Sequence, residues 1–254
     1  MAALVGATML AGTAYATPAD LSGWTNEDYT TASSSSNWVV ATSGDTVTQT
    51  YNGSPTIFFD PGANHQGRAL STTLTVSNGA GDDDFVGFVL GYDVGEFFSP
   101  NADFLLVDFN MGSKGANSGP GLALSRVSGD LSAYNVGDFW YHTGTVTPLA
   151  RGLTAGNTPW QHGVEYAFDL VFQETFVQVY LDGILQFDVN AADVGLTSFD
   201  DGSFGFYNYS QGSVTYAGTI EEQAPPDPRA VPGPAAMGLL GLGLAGLAAV
   251  RRRR

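Results

Sequence analysis

The chain has 254 residues, 43% of them hydrophobic and 13% charged, with 33 glycines and no cysteine. That is enough apolar material for one full core in a turn-rich domain, and it excludes a disulfide framework, a thiolate zinc site and a cysteine nucleophile. With 9 Lys/Arg against 25 Asp/Glu, five of the nine lying beyond residue 222, nucleic acid is excluded as a partner, because phosphate binding requires clustered cations.

At the N-terminus a short apolar run from Ala2 to Ala14 leads into Ala14-Tyr15-Ala16 before Thr17-Pro18. Small residues at the two ends of an A-x-A site read as a signal peptide, residues 1–16, cleaved after Ala16. No Lys or Arg precedes the run. The folded body is expected over residues 17–222. Asn37 to Ala41 and Thr46 to Tyr51 read as strands joined through Ser43-Gly44-Asp45, and Asn52-Gly53 reads as a turn. Ile57-Phe58-Phe59 ends at Asp60-Pro61-Gly62, and Leu70 to Val76 alternates with Thr and Ser.

Next comes Gly81-Asp82-Asp83-Asp84-Phe85-Val86-Gly87-Phe88-Val89-Leu90-Gly91-Tyr92. Phe85 to Leu90 reads as a buried strand, with Gly87 and Gly91 where neighbouring backbone comes close. Three adjacent carboxylates repel one another unless water or a cation screens them. The residues alone leave two readings open: a solvated acidic turn, or a loop for a hard cation such as calcium. In a fully extended chain Asp83 would point away from its neighbours, so one ion would take Asp82 and Asp84, with Asp93, Asp103 or Asp108 completing the set.

Phe104 to Phe109 places Leu105, Val107 and Phe109 on one face, residues 112–119 form a Gly/Ser-rich loop, and Gly121 to Val127, Tyr166 to Phe172 and Val214 to Ile220 alternate again. Thr175 to Val189 is a hairpin turning at Asp182-Gly183. A three-residue loop, Leu181-Asp182-Gly183, sets Val179 opposite Leu185 and Val177 opposite Phe187 and keeps one face dry. Strands at roughly ten-residue spacing with no helical periodicity predict an all-β antiparallel sandwich.

Residues 223–230 read as a Pro-rich linker. Val231-Pro232-Gly233-Pro234-Ala235, an uncharged run to Val250 and Arg251 to Arg254 follow. This tripartite end, residues 231–254, resembles the PEP-CTERM sorting signal of Gram-negative bacteria, though it lacks Glu between the prolines. The resemblance implies a short transmembrane helix, exosortase and the membrane as partners of the tail, and a protein exported to the cell envelope, cell surface or extracellular matrix.

The body resembles the C-terminal, legume-lectin-like domain of thrombospondins. Asn37-Trp38-Val39-Val40, Gln49-Thr50, Asp82 to Tyr92, His142-Thr143-Gly144, Trp160 and Tyr209-Ser210-Gln211 follow that family's order, with Tyr141 in place of the usual aromatic and no terminal cysteine. The resemblance covers roughly residues 37–220. It implies a concanavalin/legume-lectin-like jelly-roll sandwich, calcium at Asp82, Asp83 and Asp84, and an adhesive, non-enzymatic role towards extracellular polysaccharide or a surface protein.

Other chemistry has weaker support. A concanavalin-like glucanase needs a strand-borne E-x-D-x-x-E. Glu165, Asp169 and Glu174 have the wrong spacing, and Glu96 has no partner nearby in sequence. His142 lacks a nucleophile elbow and reads as a structural histidine. His65 and His162 have no zinc spacing. Trp140, Tyr141, Trp160, Tyr207 and Tyr209 read mostly as core, with sugar stacking as the alternative. A lectin and a glycan hydrolase are thus the alternatives to an adhesive module.

Overall fold

A computed structural model describes residues 17–32, 35–79 and 81–224. The expected signal peptide, residues 225–230 of the expected linker and the sorting signal lie outside the described residues; Gln223, expected in the linker, is the last residue of a strand. Among the described residues no helix is long and apolar enough to cross a membrane.

The strands are β1 (Thr17–Pro18), β2 (Thr25–Asp28), β3 (Trp38–Val40), β4 (Thr46–Gln49), β5 (Thr56–Phe59), β6 (Arg68–Val76), β7 (Phe85–Tyr92), β8 (Ala102–Asn110) and β9 (Gly121–Gly129). A six-residue helix, α1 (Val136–Tyr141), precedes β10 (Val146–Arg151), β11 (Glu165–Phe172), β12 (Phe176–Leu181), β13 (Ile184–Asn190), β14 (Ser203–Tyr209) and β15 (Val214–Gln223). One sheet runs β13-β12-β11-β6-β15-β4-β3, with β1 also on β15; the other runs β10-β9-β8-β7-β14-β5-β2. The described pairings are antiparallel, so this is the expected jelly-roll sandwich.

Alternation does most of the sorting. Leu70, Leu74 and Val76 of β6 meet Val86, Phe88 and Leu90 of β7 and Leu105, Val107 and Phe109 of β8 in the main core. The opposite faces of β7 and β8 are also buried: Phe85, Val89, Phe104 and Leu106 pack with Tyr29, Phe97, Leu131 and Phe139. A strand covered on both faces needs an unbroken apolar run, which is what Phe85 to Tyr92 supplies.

The hairpin differs from expectation. Asp182 (φ 51°) and Gly183 (φ 74°) are both left-handed, a two-residue turn. Leu181 pairs with Ile184 and Tyr180 with Leu185, and the register then shifts so that Val179 meets Phe187 and Val177 meets Val189. The extra residue is Gln186. A bulge on β13, rather than a longer loop, keeps the valine face dry. Gln186 Oε1 accepts from Thr154 N (3.1 Å) and Ala155 N (2.9 Å), so the bulged side chain holds the neighbouring loop.

Asn52-Gly53 is not a turn either. A Cβ on Gly53 would lie 2.1 Å from Ser35 O, so the glycine allows backbone contact. Five of the elements named above went unread: β1, β2, α1, β10 and β14. Helix α1 is too short to show periodicity; Asn135 Oδ1 caps it from Gly137 N (3.2 Å), and left-handed His142 ends it. Strand β10 contains Pro148, tolerated because β10 is an edge and its register shifts there.

Candidate functional site

Residues 82–84 precede β7 and lie outside its ladder, with Asp82 half-buried, Asp83 exposed and Asp84 buried. Asp82 has one partner, and Asp83 and Asp84 share another. Asp82 Oδ2 accepts from Asn52 Nδ2 (2.5 Å), whose Oδ1 accepts from Ser210 Oγ (3.3 Å). Asp83 and Asp84 share one cation, the ammonium of Lys114. Its Nζ is 2.5 Å from Asp83 Oδ1 and also pairs with Asp84 Oδ1. The same ammonium lies 5.2 Å from the centroid of the Trp140 ring, a cation–π contact. One ligand oxygen from each of Asp82, Asp83 and Asp84 falls within 4.8 Å of the others.

Asp84 is fixed by its backbone as well. Its N–H donates to Gln211 Oε1 (3.2 Å), and its carbonyl accepts from Trp160 Nε1 (3.0 Å). Burial pushes the Asp84 carboxyl up, against hydrogen bonds from Lys114 and Ser210 that favour its charged form. Burial likewise works against the charge on Lys114, but Asp83 and Asp84 outweigh it and hold the amine above its ordinary value.

The carboxylates expected to complete a metal site are not there. Asp103 Oδ1 accepts from Arg126 Nε (2.7 Å). Asp93 follows the far end of β7, and Asp108 is buried opposite His142. His142 Nε2 lies 3.2 Å from Asp108 Oδ2, both side chains 1% exposed. Burial alone would depress this imidazole; Asp108 outweighs it and holds the pKa above the usual histidine value. The sequence predicts a hydrogen-bonded structural histidine; His142 is buried beside Asp108, but neither of its ring nitrogens has a hydrogen-bond partner among the described residues. Of the aromatics, Trp160, Tyr207 and Tyr209 are buried, Trp140 is half-buried and Tyr141 is exposed.

Sequence reasoning missed Lys114, Asn52, Ser210 and the backbone roles of Gln211 and Trp160. One signal was visible: Lys114 is the only lysine in the chain.

Glu96, considered for glycoside chemistry, is a loop staple. Its Oε2 accepts from Asp93 N (2.9 Å) and its Oε1 from Asp103 N (2.7 Å). Burial, helped by the charges of Asp93 and Asp200, outweighs those two amides and raises its pKa to about 7. A raised carboxyl contributes stability that is complete below its unfolded value, 4.5, and is lost as pH rises through about 7. Between about pH 5.5 and pH 8 this group is expected to lower stability by on the order of 2 kcal/mol. Urea midpoints at the two pH values should converge in Glu96→Gln; an unchanged slope in that variant places the titration elsewhere.

The chain matches the family described as thrombospondin C-terminal region over residues 33–222. No curated protein matches it. Among solved structures it is similar to carbohydrate binding module CBM66 from Bacillus subtilis, at 13% identity and a TM-score of 0.50, covering 79% of this chain and 95% of that one. It is also similar to a Bacillus subtilis protein of unknown function with a galectin-like fold, at 11% identity and a TM-score of 0.54, covering 83% and 95%. Identities this low concern the fold alone. The family match takes in the acidic loop, β7, His142, Trp160 and Gln211 together, and by it the chain belongs to the thrombospondin C-terminal region family.

Proposed function

We infer that this protein is an exported, non-enzymatic binding module of the cell surface or extracellular matrix, with polysaccharide as its ligand. The observation that carries the reading is the rim of the acidic loop. Tyr51 and Tyr141 are 54% and 51% exposed. Tyr51 precedes the Asn52 that bonds Asp82, and Tyr141 packs against Gly115 of the segment that carries Lys114. Exposed rings beside charged and amide groups suit a sugar, which offers an apolar ring face and a fringe of hydroxyls. Family membership and a fold shared with a carbohydrate binding module support binding rather than catalysis.

Calcium is the cation suited to this rim. Asp82, Asp83 and Asp84 supply hard oxygens close enough to share one ion, which would offset their mutual repulsion. Export rests on the terminal segments. Cleavage after Ala16 would leave Thr17 and Pro18 paired with Glu221 and Ile220, so the sheet tolerates it. The tail would then engage exosortase and the membrane.

The test is a glycan array probed with the full chain and with Tyr51→Ala/Tyr141→Ala. Each ring contributes about 0.5–1.5 kcal/mol, so the double variant should bind its polysaccharide on the order of tenfold more weakly. An array on which the wild type retains no glycan would sink the lectin reading.

A further inference from the structure

The chain carries a formal charge of −16 and a single lysine, and that lysine sits in the acidic loop. Lys114 Nζ contacts Oδ1 of both Asp83 and Asp84, two of the three carboxylates that could hold a metal ion, with the lysine side chain only 9% exposed. Its segment is built to deliver it. Gly112 N donates to Asp83 O (2.7 Å), and Lys114 N donates to Ser118 O (2.9 Å), closing the loop over the site. A Cβ on Gly112 would lie 2.2 Å from Asp83 Oδ2 and 2.8 Å from Lys114 Nζ, so a larger residue there would displace the ends of these two side chains. Asn117 Nδ2 donates to His142 O (3.2 Å), tying the same segment to the end of α1.

We propose that Lys114 is a tethered cation that competes with divalent metal for Asp83 and Asp84. Metal entry therefore requires the 112–119 segment to withdraw its lysine. The inference rests on the calcium reading above and adds its regulation. The physical argument is charge balance. Asp84 is 4% exposed and cannot stay ionised without a counter-charge. One ammonium supplies that charge locally, and a divalent ion supplies it only if the ammonium leaves, because two cations at one pair of carboxylates repel. Lys114 thus lowers metal affinity and couples metal occupancy to the position of the loop.

Two measurements test this on the full chain. The first is binding of terbium, a luminescent stand-in for calcium sensitised by Trp140, with calcium competition, in wild type, Lys114→Met and Asp83→Asn/Asp84→Asn. Lys114→Met should bind at least tenfold more tightly than wild type, the double asparagine variant should lose binding, and calcium should raise the melting temperature of Lys114→Met more than that of wild type at equal ionic strength. The second is the rate at which an amine-reactive ester acylates Lys114 in the wild type, read by peptide mass mapping that separates it from the N-terminal amine. The amine should be protected in chelator and modified at least tenfold faster in saturating calcium. Equal metal affinity in wild type and Lys114→Met overturns the competition and leaves the calcium reading standing. Absence of metal binding in both overturns the calcium reading and the competition with it. If Lys114→Met does not fold, the acylation rate decides: a rate unchanged by calcium that binds the wild type overturns the proposal.

Discussion

Gly87→Ala is expected to leave little folded protein. Gly87 sits in the middle of β7, with Asp108 of β8 on one side and Tyr207 of β14 on the other. A Cβ there would lie 2.0 Å from Val107 O and 3.0 Å from Asp108 Cα. Both are backbone atoms of a central strand, so no flexible side chain can yield; the ladder itself must part. The pinch also carries a bond between the sheets. Gly87 N donates to Tyr216 Oη (3.2 Å), and Tyr216, fully buried on β15, donates to Tyr207 O (2.7 Å). Parting the ladder leaves these groups unpaired as well. The cost is on the order of 4 kcal/mol or more, roughly 10 °C or more in melting temperature for a domain of this size. Gly183→Ala is the control. Gly183 is left-handed at φ 74°, but a Cβ added there would meet nothing within 4 Å, so the substitution should cost only about 1–2 kcal/mol. Thermal melts of the two variants separate steric from conformational demand, and equal losses would contradict the close-approach argument.

The sandwich was legible because its strands either alternate, as β6 does, or run apolar throughout, as β7 does. Leu70 to Val76 and Leu105 to Phe109 declare their inner faces, and β7 declares itself buried on both. What escaped notice is what periodicity does not encode. Helix α1 is too short to repeat, and Pro148 hides an edge strand. At the hairpin the pattern correctly demanded that the valines share a dry face, yet two backbone solutions meet that demand. A longer loop and a bulge both keep the valines on the dry face but give them different cross-strand partners, and the left-handed pair Asp182-Gly183 selected the bulge.

The candidate site was legible in part for a related reason. Adjacent carboxylates announce a need for positive charge, which Asp82 to Asp84 do plainly. They do not announce its source. Lys114 lies 30 residues beyond Asp84 in a loop without pattern, and only the register of β7 on β8 brings that loop back across the triplet. The supports are harder still to read, because Trp160 and Gln211 bond the main chain of Asp84 and not its carboxylate. Sequence carries side-chain chemistry on its face and backbone partnerships hardly at all.

Trp160→Ala is expected to give the second large loss, and it joins the core to the acidic loop. Trp160 is fully buried in the main core, its ring edge-on to His162 at 5.0 Å. Truncation removes the largest side-chain type and leaves a cavity, at a cost of about 3–5 kcal/mol, on the order of 10 °C in melting temperature. The indole also donates to Asp84 O, so a second variant divides the two roles. Trp160→Phe keeps most of the apolar volume and leaves that buried carbonyl without its donor, which costs about 1–3 kcal/mol. Its effect should be local. Global stability falls modestly, while Asp84 loses its anchor and the Lys114 ammonium becomes more reactive towards an amine-selective ester than in the wild type. Urea titration reads the first and peptide mass mapping the second. If Trp160→Phe lowers stability but leaves Lys114 as protected as before, Trp160 is a packing residue and the loop holds its geometry without it.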